Sequence, residues 1–298
     1  MKINIYSTRG NGGPRSWCNS LSNHLRIKGH QVRMINSFPE YFSQPFSNPL
    51  THSVVPFLHP IRGKYILTIH GDFKKENNIW AKLYSIAVKQ ADIITVPSNF
   101  LRKELKLKRS VVLPNGIEKP MYIKNNYEQL SKVPKFGIIT NFNFHQKSRG
   151  LIKLAHIIHR INPRAVLLVA GEGKYKPVYE KEIISLLPNA KFLGYVKKET
   201  LFSKIDIFSY YSFLDNAPLS VIEAMSSGLP VISNNIGAID EILPNNLVVK
   251  KEEGYSSLLK SLSLSEKERS KAGKALKNLA RGFYWSNIIE QWIDIYKE

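Results

Sequence analysis

The chain has 298 residues and is 43% hydrophobic, which provides enough apolar material for two modest domains. Its one cysteine, Cys18, excludes an internal disulfide and a cysteine metal cluster. The opening MKINIYSTRG lacks the long apolar run typical of a signal peptide, so we expect a cytoplasmic protein that does not cross a membrane. The net charge of +20 is concentrated in residues 1–130, which hold 19 basic and 7 acidic residues. It indicates an anionic partner, which could be a phosphate-bearing small molecule, an anionic lipid surface or nucleic acid, unless the charge serves solubility alone.

The first 116 residues alternate short strands with amphipathic helices. Strand patterns occupy KINIYS (2–7), QVRMI (31–35), KYILTIHG (64–71), DIITVPS (92–98) and SVVLPNG (110–116). Helical patterns lie between them in GPRSWCNSLSNHLRIKG and NIWAKLYSIAVKQA. This order predicts a parallel sheet in a first domain, residues 1–116. Residues 36–60 contain five prolines, and we expect them to form a long irregular loop.

The alternation resumes after a predicted linker at residues 117–134, which has two prolines and no clean period. A second domain, residues 135–282, has strand patterns at 135–142, 164–173, 190–196, 206–211, 229–234 and 246–250. Residues 283–298 are predicted to form a helix that packs back toward the first domain. The fold class is therefore predicted to be α/β, with two facing Rossmann-like, doubly wound domains and a cleft between them.

The four tryptophans all lie on helical patterns. Large aromatic side chains on such patterns are more often core residues than ligand platforms. We therefore expect all four to pack inside the domains: Trp17, Trp80, Trp285 and Trp292.

Candidate site residues of the first domain follow its strands, because ligands of parallel sheets bind beyond the carboxyl ends of strands. Gly12 and Gly13 in STRGNGGPRS would let the backbone approach a diphosphate at the start of the next helix, although a tight turn also needs glycine. His70 in TIHGD ends a strand, where it either faces the predicted cleft or has a structural role.

Candidate site residues of the second domain combine cations with carboxylates. Lys147 and Arg149 lie where the first strand passes into a helix, either placed to neutralise phosphate oxygens or forming a solvated basic turn. Asp215 precedes a helix predicted to begin near Pro218, and Glu223 lies inside that helix. Carboxylates accept hydrogen bonds from neighbouring hydroxyls, so this pair indicates sugar binding beside a phosphate held by backbone amides.

Taken together, these motifs resemble the retaining nucleotide-sugar glycosyltransferases of family four, which have the GT-B architecture. The resemblance runs nearly the length of the chain. It is carried, in the family's order, by RGNGG, TIHGD, VPSNFLRKEL, VVLPNGI, VAGEG, FLGYV, SFLDNAPLSVIEAMSSGLPVISNNIGAIDEIL and YWSNIIEQWIDIY.

The resemblance implies roles for individual residues. Glu223 would hold the ribose hydroxyls, and Asp215, where the family has a glutamate, would approach the donor sugar. Further donor contacts would come from the turn Ala217–Ser220, which includes Leu219 and Ser220, and from Gly171 and Val196. The family's arginine before its Lys-Gly pair is replaced by Asn141 or Asn143, and Lys147 or Arg149 takes the lysine position.

The resemblance also implies the reaction: transfer of a hexosyl unit from a UDP- or GDP-linked sugar to the hydroxyl of a glycan, lipid or protein acceptor, with retention of configuration. The leaving phosphate would take the acceptor proton, and His70 would position the sugar. Neither a metal nor a further cofactor is expected, since no Asp-x-Asp pair or His/Cys cluster with ligand spacing occurs in the sequence.

Three alternatives remain open. The first is a nucleic-acid or polyanion binder that keeps the fold without the chemistry, which the net charge favours. The second is a glycosyltransferase whose acceptor is nucleic acid. The third is peripheral docking of the basic first domain on the anionic inner face of the membrane through FLRKELKLKR (100–109), a segment that could equally be a solvated helix.

Overall fold

The computed structural model describes residues 1–7, 13–37, 40, 50–56, 63–75, 78–121 and 134–298. The chain divides into two compact units, one formed by Met1–Glu118 with Gly282–Glu298 and the other by Lys119–Arg281. Most of the predicted linker, from residue 122 to residue 133, lies outside the described residues. Within the described ranges, no helix combines the length and apolar character that crossing a bilayer requires.

The first unit contains a six-stranded parallel sheet in the order β2-β1-β3-β4-β5-β6. Its strands are β1 (Lys2–Tyr6), β2 (Gln31–Ile35), β3 (Leu50–Ser53), β4 (Tyr65–Thr68), β5 (Ile93–Val96) and β6 (Val111–Val112). Its helices are α1 (Gly13–Ile27), α2 (Asn78–Gln90) and α3 (Asn99–Leu105), with a 3-10 turn at Phe73–Lys75. All five predicted strands of this unit are confirmed.

Strand β3 was not predicted, and the expectation of an irregular loop over residues 36–60 was wrong at this point. The strand lies between β1 and β4, in the middle of the sheet. Its sequence, Leu-Thr-His-Ser, lacks apolar alternation and is close to two prolines, yet Thr51, His52 and Ser53 are fully buried. Of these side chains, His52 bonds the neighbouring strand β4, with Nε2 2.6 Å from Thr68 Oγ1. Ser53 Oγ donates to the carbonyl oxygen of Val55, and Thr51 Oγ1 has no hydrogen-bond partner among the described residues. Residues 38–39, 41–49 and 57–60 lie outside the described residues.

The second unit contains another six-stranded parallel sheet, in the order β12-β11-β10-β7-β8-β9. Its strands are β7 (Lys135–Ile139), β8 (Val166–Ala170), β9 (Lys191–Gly194), β10 (Ile207–Tyr210), β11 (Val231–Asn234) and β12 (Val248–Val249). All six were predicted and are confirmed. Its helices are α4 (His145–Ile161), α5 (Lys176–Leu186), α6 (Lys198–Phe202), α7 (Leu219–Ser226), α8 (Ile239–Ile242), α9 (Glu252–Leu264) and α10 (Glu266–Ala280), with 3-10 turns at Asn245–Leu247 and Arg281–Phe283.

The last helix, α11 (Trp285–Lys297), belongs to the first unit and packs into its core. Trp17 of α1 lies against Trp285 and Trp292, with ring centroids 5.9 and 5.4 Å apart, and all three rings are at most 4% exposed. These aromatic contacts fasten the end of the chain to its beginning. The prediction for the fourth tryptophan was wrong, because Trp80 on α2 is 45% exposed.

Candidate functional site

The strand order of the second sheet reverses between β7 and β10. In chain order its first strand lies beside its fourth, and the crevice at the carboxyl ends of such a pair is where doubly wound sheets bind ligands. The chain leaving β7 leads into α4, which carries Lys147 in its first turn, and the chain leaving β10 carries Asp215. Topology alone therefore brings these two side chains to one place.

Lys147 and Asp215 form an ion pair in this crevice. The ammonium Nζ of Lys147 lies 2.6 Å from Asp215 Oδ2, and the hydroxyl of Tyr210 donates to the same oxygen at 2.5 Å. The other oxygen, Oδ1, accepts the backbone N–H of Asn216 at 2.9 Å. Burial and the charge of Asp215 hold the pKa of Tyr210 well above its usual value, so Tyr210 remains a hydrogen-bond donor at neutral pH.

Close packing of α4 against the loop after β10 makes this pair possible. A Cβ on Gly150 would lie 2.4 Å from the carbonyl oxygen of Tyr211 and 2.7 Å from Cα of Ser212, so only glycine fits here. Asn234, at the end of β11, holds the same loop from its other side. Its side chain accepts from Ser212 N at 3.0 Å and donates to Ser212 O at 2.8 Å. The loop that carries Asp215 is therefore fixed from both sides.

Glu223 forms a second ion pair. Helix α7 begins directly after Pro218, as predicted, and Glu223 points from its second turn to Lys198 of α6, with Oε1 2.7 Å from Nζ. Burial raises the pKa of the Glu223 carboxyl, and the nearby Lys198 opposes that shift. Lys198 was missed by the sequence reasoning, although the signal was present: two lysines directly follow the FLGYV motif.

The start of α7 presents backbone donors. Leu219 and Ser220 are its first two residues and are half-buried, and among the described residues no side chain caps the helix at Pro218. The first N–H groups of a helix lack intrahelical acceptors and favour anions. This end of α7 can therefore hold an anionic group next to the loop that carries Asp215.

Arg149 lies apart from the Lys147–Asp215 pair. Residues two apart on a helix do not face the same side, and the guanidinium of Arg149 instead lies over the ring of Phe213, 5.7 Å from its centroid. It lines an open groove of about 500 Å³ between α4 and α5, together with His145, Ile152, Lys153, His156, Tyr179, Glu182 and Phe213. Of the two cations that the sequence offered for one role, Lys147 is therefore the one at Asp215.

Gly171 and Val196 follow β8 and β9 at the same end of the sheet. Gly171 has φ +137°, and a Cβ there would lie 1.9 Å from the carbonyl oxygen of Thr140, so this close approach of two loops requires glycine. Its N–H donates to Gly194 O at 2.8 Å. Val196 is half-buried, two residues beyond β9. These positions line the edge of the sheet that carries Lys147 and Asp215.

The predicted residues of the first unit lie at the carboxyl end of its own sheet. Gly12 lies outside the described residues, and Gly13 is the first residue of α1. His70, two residues after β4, packs its ring against Trp17 with centroids 4.7 Å apart. Its Nε2 is buried and has no hydrogen-bond partner among the described residues. Burial lowers the pKa of His70 to about 4, so the ring is neutral at pH 7.

A second buried histidine, His52, was missed because it lies on the unpredicted strand β3. Its Nδ1 is 2.7 Å from the hydroxyl of Tyr296 on α11, and its Nε2 bonds Thr68, which in turn lies 2.6 Å from the hydroxyl of Thr95. Burial, with a further contribution from His70, lowers the pKa of His52 to about 3. The chain of hydrogen bonds crosses three neighbouring strands and ties α11 to the sheet.

Potential metal-ligating side chains do not cluster in the described residues. No three histidine, cysteine, aspartate or glutamate side chains there are arranged to hold one metal ion.

A family model described as "Glycosyl transferases group 1" matches residues 123–279. Among curated proteins, the chain is 23% identical over 209 residues to a subunit of the phosphatidylinositol N-acetylglucosaminyltransferase of Homo sapiens, covering 66% of this chain and 42% of that protein. It is 22% identical over 241 residues to the "Putative teichuronic acid biosynthesis glycosyltransferase TuaC" of Bacillus subtilis, covering 74% of this chain and 60% of that protein. The chain thus spans less than two thirds of the length of these relatives.

Solved structures share the fold over the whole chain. A sucrose-phosphate synthase from Thermosynechococcus elongatus superposes with a TM-score of 0.82 at 14% identity, covering 100% of this chain and 98% of that one. HepE from Anabaena, solved in complex with UDP, superposes with a TM-score of 0.78 at 14% identity and covers 100% of both chains. The two parallel six-stranded sheets therefore have the GT-B fold, as the sequence predicts.

Proposed function

Since the chain belongs to the glycosyl transferases group 1 family, we propose that it transfers a hexosyl unit from a nucleoside diphosphate sugar to an acceptor hydroxyl, with retention of anomeric configuration. The observation that carries the proposal is the Lys147–Asp215 pair at the switch point of the second sheet. A cation and a carboxylate beside the uncapped start of α7 offer separate partners to a diphosphate and to sugar hydroxyls. UDP bound to HepE, a protein of the same fold, is in keeping with this class of donor.

Lys147 and the first amides of α7 hold the diphosphate in this mechanism. In the free protein the Lys147 ammonium neutralises Asp215, and an arriving phosphate competes with the carboxylate for it. As the bond between the anomeric carbon and the diphosphate breaks, negative charge builds up on the leaving oxygen. Donors that already contact the diphosphate when this bond begins to break stabilise that charge most in the transition state. Since they supply the positive charge, the reaction is proposed to need no metal ion.

Asp215 faces the donor sugar and accepts hydrogen bonds from its hydroxyls. Tyr210 and the N–H of Asn216 fix the orientation of the carboxylate before the donor arrives, so little ordering remains to be done on binding. Glu223 accepts hydrogen bonds from the ribose hydroxyls, and Lys198 orients the Glu223 carboxylate. Leu219, Gly171 and Val196 line the nucleoside.

In the chemical step, one bond to the anomeric carbon forms, one breaks, and one proton is transferred. The acceptor oxygen bonds to the anomeric carbon on the face that the diphosphate leaves, and the acceptor proton passes to the leaving phosphate oxygen. Because burial lowers the pKa of His70 to about 4, its ring is a weak proton acceptor, and His70 is proposed to position the sugar through a ring nitrogen and not to act as the base.

A donor panel tests this function. UDP-, GDP- and ADP-sugars are scored for thermal stabilisation of the protein and for slow release of nucleoside diphosphate, with and without EDTA. The proposal expects one nucleotide series to stabilise the protein and to be hydrolysed, equally well in EDTA. Strong, salt-dependent binding of duplex DNA without any nucleotide effect would favour a polyanion binder instead.

A further inference from the structure

Helix α2 carries apolar side chains beside the lysines of its outer face as well as on its inner face. Its inner side chains pack on the sheet, with Ala87 fully buried and Tyr84 stacked on Phe73 at 4.8 Å. A surface helix normally turns its apolar side chains to the core and its polar ones to solvent. Here, however, Ile79, Trp80 and Ile86 are 66%, 45% and 46% exposed.

The exposed side chains form a stripe along the helix. Ile79 and Ile86 are seven residues apart and therefore lie on the same side, two turns from each other, with half-buried Leu83 between them. Trp80 flanks this stripe on one side. Exposed Lys82 and Lys89 flank it on the other. Contiguous apolar surface of this kind marks an interaction site, and the lysines beside it favour an anionic partner.

More basic residues adjoin the start of α2. Lys74 lies five residues before Ile79, and its ammonium donates to the carbonyl oxygen of Leu105 at the end of α3 at 3.2 Å. The exposed cations around that end of α3 are Lys103, Lys106, Lys108 and Arg109, with Glu104 as the acidic residue among them. An apolar stripe thus continues into a cluster of cations on the same unit.

We propose that the outer face of α2, together with the basic end of α3, docks on an anionic lipid bilayer. Tryptophan and aliphatic side chains enter the boundary between headgroups and acyl chains, and lysines beside them contact anionic headgroups. Nucleic acid fits this face less well, because Ile79 and Ile86 hold its most exposed positions and aliphatic side chains do not stack on bases. This inference does not depend on the proposed sugar transfer.

The structure also moves the contact from the segment that the sequence suggested. In FLRKELKLKR, Leu101 and Leu105 are at most 3% exposed and pack in the core, so they cannot enter a membrane. Residues 100–109 therefore supply charge to the contact, while α2 supplies the apolar side chains.

Tryptophan fluorescence tests the proposal directly, since Trp80 is exposed while Trp17, Trp285 and Trp292 are at most 4% exposed. The probes are vesicles of phosphatidylcholine alone and of equimolar phosphatidylcholine and phosphatidylglycerol, with and without brominated acyl chains. We expect a blue shift and bromine quenching with the anionic vesicles alone. In Trp80→Phe this fluorescence change disappears, although the protein still sediments with the vesicles.

Two double variants that introduce negative charge distinguish binding through this face from nonspecific adsorption to vesicles. Ile79→Glu/Ile86→Glu is expected to lower the vesicle partition coefficient at least about tenfold, since charges at the apolar boundary oppose insertion. The matched control is Val178→Glu/Ile184→Glu on α5, where the side chains are 66% and 41% exposed and binding should match wild type. Absence of binding to anionic vesicles, equal binding to both kinds of vesicle, or wild-type binding by Ile79→Glu/Ile86→Glu at an unchanged Tm would overturn the proposal.

Discussion

Lys147 and Tyr210 meet on one oxygen of Asp215, at 2.6 and 2.5 Å. In the proposed mechanism the lysine exchanges that oxygen for a phosphate. The buried tyrosine, whose pKa lies well above its usual value, keeps donating to it, so the carboxylate stays oriented when the lysine moves. Lys147 is thus proposed as the cation that moves to the substrate, and Asp215 as the carboxylate that keeps its orientation.

Removing Lys147 should weaken donor binding far more than removing Arg149. In Lys147→Ala the nucleoside diphosphate loses a charged hydrogen bond, which contributes roughly 1.5–3 kcal/mol, or a factor of about 10 to 150 in Kd. Arg149→Ala leaves the Asp215 crevice intact, because the guanidinium lies over Phe213. Calorimetric titration with the donor's nucleoside diphosphate measures both. Equal losses in the two variants would contradict the placement of the diphosphate at Lys147.

Asp215→Asn should reduce turnover while the fold survives. The amide keeps the size of the side chain but cannot accept from all the donors around it, and its charge is lost. Such a substitution of a residue that contacts the reacting sugar typically lowers kcat/KM about a hundredfold. Tyr210→Phe, which keeps the carboxylate and removes one hydrogen bond, should show a smaller loss in kcat. Steady-state release of nucleoside diphosphate gives both values, and a fully active Asp215→Asn would remove Asp215 from the mechanism.

Glu223→Gln should stabilise the protein at neutral pH while weakening nucleotide binding. Burial raises the pKa of Glu223, so the folded state holds a proton there more tightly than the unfolded chain does. The stability this provides is present at low pH and is lost as pH rises through the raised pKa. A neutral glutamine avoids that loss. Thermal melts at pH 7 and pH 4 should show a higher Tm for the variant at pH 7 alone; a lower Tm at pH 7 would mean that pairing with Lys198 outweighs desolvation.

Acid should destabilise the first unit through its two buried histidines. Their pKa values are lowered from 6.5 to about 3 for His52 and about 4 for His70, so the unfolded chain binds protons that the folded state refuses. Stability should therefore fall as pH drops from about 6.5 toward 3. His70→Gln removes one of these groups and should shift the midpoint of acid unfolding, followed by circular dichroism, to lower pH. His156→Gln, at an exposed position of α4, serves as the control and should leave the midpoint unchanged.

Gly150→Ala should destabilise the second unit and disturb the Lys147–Asp215 pair. The added Cβ would overlap the carbonyl of Tyr211 at 2.4 Å, and overpacking of this kind costs roughly 1–3 kcal/mol. Among the described residues, nothing lies within 4 Å of a Cβ on Gly13, so Gly13→Ala is the matched control for stability. Urea unfolding compares them, and an unaltered midpoint in Gly150→Ala would show that α4 does not need to approach the β10 loop so closely.

The sequence predicted most of the fold because parallel strands leave strong local patterns. In the part of the chain that the structure describes, eleven of the twelve strands are apolar runs closed by turn residues, and the missing one, β3, is a run of four residues with three buried polar side chains. No local rule recognises such a strand, because its backbone pairs with β1 and β4 and the His52 ring bonds Thr68, all of which lie outside the run itself. The same limit hid the exposure of Trp80, since an apolar helix pattern does not tell which faces are covered.

The candidate site was predicted in kind but not in detail. Positions beyond strand ends identified Lys147 and Asp215, and the helix that follows Asp215 identified Glu223, because topology gathers such positions at one edge of the sheet. The pairing of each carboxylate with its lysine, and the turning of Arg149 to the other side of α4, depend on helix orientation and on a Gly150 contact that spacing alone does not reveal.

Release of nucleoside diphosphate from UDP-, GDP- and ADP-sugars by the wild type and by Lys147→Ala tests the central claim most directly. We predict release from one nucleotide series by the wild type, reduced at least about tenfold in Lys147→Ala. No release from any of the three series, with no stabilisation by their nucleotides, would contradict it, as would undiminished release by Lys147→Ala.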